Sequence, residues 1–127
     1  MTRTHERSPL TDDLRCGDVV WVQFSPTQGR EQSGRRPALV IAGDLFLNMV
    51  DTLAVVIPVT STDRGWPNHI PLAGEGLFLE RDSFAMTEQL RTISRSRIVG
   101  RAGRVNAETL AAVSQWLADF LDLEMST

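Results

Sequence analysis

The chain contains no lysine and no tyrosine, a single cysteine and two histidines. Cys16 alone forms no internal disulfide and no multi-cysteine metal site. With only His5 and His69, zinc catalysis and a two-histidine acid–base pair are poorly supplied. No apolar run approaches the ~18 residues that span a bilayer, which excludes a membrane-spanning helix. Residues 1–15 lack the apolar stretch of a secretory signal. There is no Gly-x-Ser-x-Gly elbow, no P-loop and no His-Glu-x-x-His. What is present is 127 residues of ordinary globular composition, 42% hydrophobic and 23% charged, enough for one domain.

The net charge of −3 weighs against a generic nucleic-acid binder, but its distribution is uneven. All 13 basic residues are arginine, and from Glu108 onward there are four acids and no arginine. Arg91, Arg95, Arg97, Arg101 and Arg104 fall in a stretch that has no acid. On pattern alone this stretch reads first as a solvated basic strand pair. The functional reading is an anion-binding face, because the guanidinium fork matches pairs of phosphate oxygens.

Residues 1–15 read as a flexible arm, and residues 16–127 as a single domain. Short β-type runs are expected at 18–24, 37–42, 53–59, 69–72, 77–79, 84–87 and 90–94, with a weaker one at 97–100. Pro58 suggests a strand end or edge. A short helical turn is possible near 45–49. The polar segment 25–36 is long for a hairpin connection, and such loops are often functional. The final element is a helix at about 106–122: Asn106 is a good N-cap, and Leu110, Val113, Leu117, Phe120 and Leu121 recur at helical spacing. Many short strands followed by one helix predict a small antiparallel barrel or sandwich, mainly β with a C-terminal helix.

Two places carry chemistry on loops. Arg36 precedes Pro37, which holds its backbone extended at the mouth of an apolar strand. Its structural reading is a strand-end arginine paired with Glu31 or another acid. Thr60 follows an apolar strand and leads into Ser61 and Thr62. Its structural reading is a hydroxyl that satisfies a loop backbone group.

These residues, with Gly17-Asp18-Val19-Val20-Trp21-Val22, Ser25-Pro26, Glu31-Gln32-Ser33-Gly34-Arg35-Arg36-Pro37, Ile57-Pro58-Val59-Thr60, Gly65-Trp66-Pro67 and Glu88-Gln89-Leu90-Arg91-Thr92-Ile93, resemble the MazF/PemK-type toxin endoribonucleases of bacterial toxin–antitoxin systems. The resemblance runs from residue 16 to about 105. It implies an SH3-like barrel that forms a homodimer. It implies sequence-selective, metal-independent cleavage of single-stranded RNA with no cofactor. Attack by the RNA 2′-OH would give 2′,3′-cyclic phosphate and 5′-hydroxyl ends. It also implies a cognate antitoxin with an acidic flexible segment, a cytoplasmic location and no membrane partner.

The family's catalytic arginine and threonine fall on Arg36 and Thr60. RNA contacts are expected from Ser25, Gln32, Ser61, Thr62, Arg64, Trp66 and Arg91, with Trp66 as a stacking candidate and Glu31 or a water as proton acceptor. A permanently charged guanidinium favours electrostatic stabilisation of the phosphate over proton transfer. His69 reads as a surface strand histidine. Two alternatives stand beside this reading: a CcdB-like gyrase poison, against which the ending Glu124-Met125-Ser126-Thr127 and the mid-helix Trp116 count, and a non-catalytic RNA-binding module.

Overall fold

A computed structural model describes residues 11, 13–24 and 34–124 of the chain. Seven strands and two helices follow in the order β1 (Asp18–Gln23), β2 (Arg35–Val40), α1 (Asp44–Met49), β3 (Leu53–Thr60), β4 (His69–Pro71), β5 (Phe84–Met86), β6 (Arg91–Ser94), β7 (Ile98–Arg104) and α2 (Ala107–Phe120). Single 3₁₀ turns occupy Thr87–Gln89 and Arg95–Arg97.

The strands form one antiparallel sheet in the order β4-β5-β3-β2-β1-β7, with β6 also pairing with β3. The expected mainly β fold with a C-terminal helix is therefore present. Among the described residues the ladder is open, because β7 joins β1 and not β6. The Arg95–Arg97 turn redirects the chain between those two strands.

Successive strand residues face opposite sides of a sheet, so an apolar run buried throughout needs a core on each side. That is the arrangement here. Val20, Val22, Ala38, Val40, Ala54 and Val56 share one core with Leu47 of α1 and Ile93 of β6. Val19, Leu39, Ile57 and Val59 share the other with Ile70, Ala85, Ala102 and Val113 of α2. This two-sided burial explains why β1, β2 and β3 are near-continuous Val, Ile and Leu runs.

Four features depart from the sequence reading. Pro58 lies inside β3, opposite Ala38 of β2. β3 pairs with β6 over Leu53–Val56 and with β5 at Val59 and Thr60, so Pro58 occupies the gap where its outer neighbour changes and where no ladder donor is required. Residues 77–79 form no strand; Leu77 makes a single bridge to Gly103. β7 is longer than its weak pattern indicated, because Gly100 and Gly103 interrupt the apolar alternation. Trp21 packs against Gly100. The packed chain also reaches back into the segment read as an arm, since Thr11 and Leu14 are buried.

α2 begins as expected: the Asn106 side chain accepts the Thr109 N–H at 2.8 Å. Asn106→Ala is expected to cost about 1 kcal/mol of stability by removing this cap. A urea-denaturation midpoint unchanged from wild type would show that the cap contributes nothing.

Candidate active site

Arg36 is the second residue of β2 and Thr60 closes β3, the strand beside it. Ala38 pairs with Pro58 at the end of the β2–β3 ladder, and two residues beyond that pair lie Arg36 on one strand and Thr60 on the other. The register, set by the two cores, thus brings together two residues 24 positions apart in the chain.

Both line one cleft of about 610 Å³, together with Trp21, Pro37, Val59, Ser61 and Thr62. Arg36 is exposed and Thr60 half-buried. The far wall comes from the loop between β4 and β5 and carries Phe78, Leu79, Glu80, Arg81 and Ser83.

The Thr60 hydroxyl oxygen accepts the Thr62 N–H at 3.1 Å. That bond fixes the oxygen and leaves its proton to be donated elsewhere. The next turn is held by the Asp63 carboxylate, which accepts the Gly65 N–H at 2.9 Å, while Gly65 takes a φ of +73°. The rim of the cleft is therefore built from local side-chain bonds at the end of a rigid strand.

Ser25, Glu31 and Gln32 fall outside the described residues. Arg64 and Trp66 follow on the next loop, with the Arg64 guanidinium 5.8 Å from the Trp66 ring. Trp66 is 50% exposed, with one edge against His69 at 4.8 Å between ring centroids. Arg91 starts β6 and lies over the Phe24 ring at 5.0 Å. None of these three is in the lining of the Arg36–Thr60 cleft among the described residues.

His69 is not a surface histidine. It is buried, and its Nε2 lies 3.1 and 3.2 Å from the two Glu88 carboxylate oxygens. An ionised carboxylate only accepts, so Nε2 carries the proton. Asn68 Nδ2 donates to the same carboxylate at 2.7 Å. Burial raises the Glu88 pKa, but its own backbone N–H, His69 and Gln89 more than offset this and hold the carboxyl below its ordinary value. The cluster braces the start of β4 against the turn after β5.

The acid-free arginine stretch also has a structural use. Arg95 is buried and donates to the carbonyls of Leu53 at 2.9 Å, Val50 at 3.3 Å and Leu47. Arg97 donates to the carbonyls of Gln23 and Phe24. Arg101 and Arg104 pair at 3.2 and 2.7 Å with Asp18, whose side chain is buried. All four are engaged by carbonyls or by Asp18, although Arg101 and Arg104 also reach solvent. Burial and the nearby Asp44 push the Cys16 thiol up, which disfavours its thiolate form.

Among the described residues, no three His, Cys, Asp or Glu side chains form a group that could hold a metal ion. Sequence reasoning missed the far wall of the cleft, Phe78 to Arg81. Its one signal was three large apolar residues in a row after Gly-Glu-Gly, more than a single-sided strand can bury.

The family of PemK-like, MazF-like toxins of type II toxin–antitoxin systems matches residues 15–121. The chain belongs to this family. The toxin is 35% identical over 98 residues to the endoribonuclease toxin MazF of Escherichia coli (strain K12), covering 76% of this chain and 84% of the relative. It is 33% identical over 106 residues to endoribonuclease EndoA of Bacillus subtilis (strain 168), covering 82% and 90%. Its fold is similar to that of a MazE–MazF crystal structure from Deinococcus radiodurans, with a TM-score of 0.71 and 29% identity, over 87% of this chain and 97% of that one.

Proposed function

We propose that the Arg36–Thr60 cleft is where this toxin, an endoribonuclease like its relatives, cleaves single-stranded RNA by using the RNA's own 2′-OH. The observation that carries the reading is the convergence of Arg36, Thr60, Ser61 and Thr62 on one cleft. The 2′-oxygen attacks the adjacent phosphorus and loses its proton to Glu31 or a water. The bond from phosphorus to the 5′-oxygen breaks, and that oxygen leaves as a hydroxyl once protonated. The products are a 2′,3′-cyclic phosphate and a 5′-hydroxyl.

In this scheme the protein supplies no nucleophile. Its work is alignment and charge stabilisation. Arg36 neutralises charge that develops on the phosphate oxygens. Thr60, its oxygen fixed by the Thr62 N–H, donates to the same phosphate. Ser61 and Thr62 hold the RNA within the cleft, and Arg64, Trp66 and Arg91 extend its path beyond, with Ser25 and Gln32 on the segment before β2.

The toxin acts in the cytoplasm, where its substrate is. No helix among the described residues is long and apolar enough to cross a membrane. The family is the toxin half of a two-component system, and the similar D. radiodurans MazF was solved with MazE. Both support a cognate antitoxin, and an acidic flexible segment is the part of it that would suit an arginine-bearing cleft. Homodimer formation has apolar surface available: Phe120, Leu121 and Leu123 at the end of α2 are 48–59% exposed.

The test is cleavage of a long single-stranded RNA in excess EDTA, with Thr60→Ala as the control for contaminating nuclease. Discrete cuts with 5′-hydroxyl ends, absent in the variant, are expected. Cutting that stops in EDTA would sink the metal-independent scheme. No cutting of any RNA would turn attention to a protein target.

A further inference from the structure

Phe78 is 74% exposed, yet it is not on a loose loop. Its flanking residues Leu77 and Leu79 both pack against the core that contains α2. Its own N–H donates to the Ala102 carbonyl of β7 at 2.8 Å. The residues that lead into it are tied down as well: Arg104 N–H donates to the Gly76 carbonyl, and Asn106 N–H donates to that of Ala73 at 2.7 Å. The approach to β7 is so close that a Cβ on Gly103, whose φ is +106°, would run into the Gly76 carbonyl. An isolated exposed apolar residue needs no explanation. Phe78 differs because it is pinned in place and lines the cleft that holds Arg36 and Thr60.

The chemistry of that cleft selects the occupant. Two arginines, Arg36 and Arg81, and four hydroxyl residues, Thr60, Ser61, Thr62 and Ser83, line it with a single acid, Glu80. Cations and hydroxyl donors suit phosphate oxygens, and a fixed aromatic ring beside them suits an unstacked base.

We infer that Phe78 is a stacking platform for the base of a nucleotide next to the scissile phosphate, an inference that rests on the RNA-cleaving reading of the cleft. Stacking lets the loop hold the RNA in register with Arg36 and Thr60 without reading a hydrogen-bond edge. Phe78 is accordingly a positioning residue, and it biases which phosphate is cut through the stacking strength of the neighbouring base.

The test uses the full chain and a short RNA that spans one mapped cut site. Removing the base at one flanking nucleotide should lower kcat/KM for the wild type about tenfold or more. Phe78→Ala should cost the same on the intact RNA. The two changes together should cost no more than either alone, because both delete one contact. Phe78→Tyr should restore cleavage, and Phe78→Leu, similar in bulk but without a ring face, should not.

A second arm does not depend on cleavage. An RNA with 2-aminopurine at that nucleotide and a 2′-deoxy scissile sugar should be quenched by the wild type and not by Phe78→Leu. This quench together with no cleavage of the all-ribose RNA would fail the catalytic reading and leave the stacking intact. Wild-type cleavage with Phe78→Ala within twofold, or losses that multiply at every flanking position, overturns the inference. An effect of Phe78→Ala on self-association with additive RNA losses overturns it in favour of a protein interface. A wild type that binds no RNA overturns both.

Discussion

Arg36→Ala is expected to lower RNA cleavage at least ~100-fold while leaving the fold intact, because it removes a donor aimed at charge that appears in the transition state. Arg36 is exposed at a strand end, so its removal opens no cavity. The loss should fall on kcat more than on KM. Arg36→Lys keeps the charge but not the paired fork and should recover only part of the rate. Thr60→Ala should show a similar loss and Thr60→Ser a substantial recovery, since serine keeps a hydroxyl that accepts the Thr62 N–H. Single-turnover cleavage of a defined RNA separates these outcomes. Near-wild-type rates for either alanine variant would remove that residue from the catalytic machinery.

The largest stability effect is expected at Arg95, which has no role in the cleft. Arg95→Ala should cost about 3–5 kcal/mol, the range for breaking a buried charged contact and stranding its partners. The side chain sits 5% exposed and gathers carbonyls from Leu47 and Val50, on either side of the end of α1, and from Leu53 at the start of β3. Lysine cannot replace it, because one ammonium does not span the positions reached by the two arms of a guanidinium and its Nε. Urea denaturation monitored by tryptophan fluorescence measures the loss. A change below ~1 kcal/mol would mean that water takes over these carbonyls without cost.

The contrast between Arg36 and Arg95 shows what a sequence discloses. The place of Arg36 near a strand end was legible because its neighbours give it away: proline after it and an apolar run next. The place of Thr60 at a strand end was legible from the apolar run before it. Arg95 was not, since nothing near it in the chain says that its partners lie about 42–48 residues away. A run of arginines without acids looks alike whether it faces phosphates or carbonyls. His69 and Pro58 were misread for related causes. One depends on Glu88 across a loop, and the other on a change of strand partner that no local pattern records.

The strands of the two-sided core were readable from Val, Ile and Leu runs, and α2 from its cap and spacing. Phe78 was hidden by its setting. Between Leu77 and Leu79 it looks like one more core residue, and only the clamp to β7 shows that the middle of the three turns outward.

The division of β3 between two outer partners has a mechanical consequence. Its first half is locked into the body of the sheet by β2 and β6. Its last two residues, including Thr60, lean on β5, a strand of three residues whose other neighbour β4 is equally short. Short ladders at a margin separate at a smaller free-energy cost than the body they border. The chain therefore couples a stiff foundation to a compliant lip. Thr60 stands on that lip, whereas Arg36 lies on a strand that the body of the sheet holds from β1.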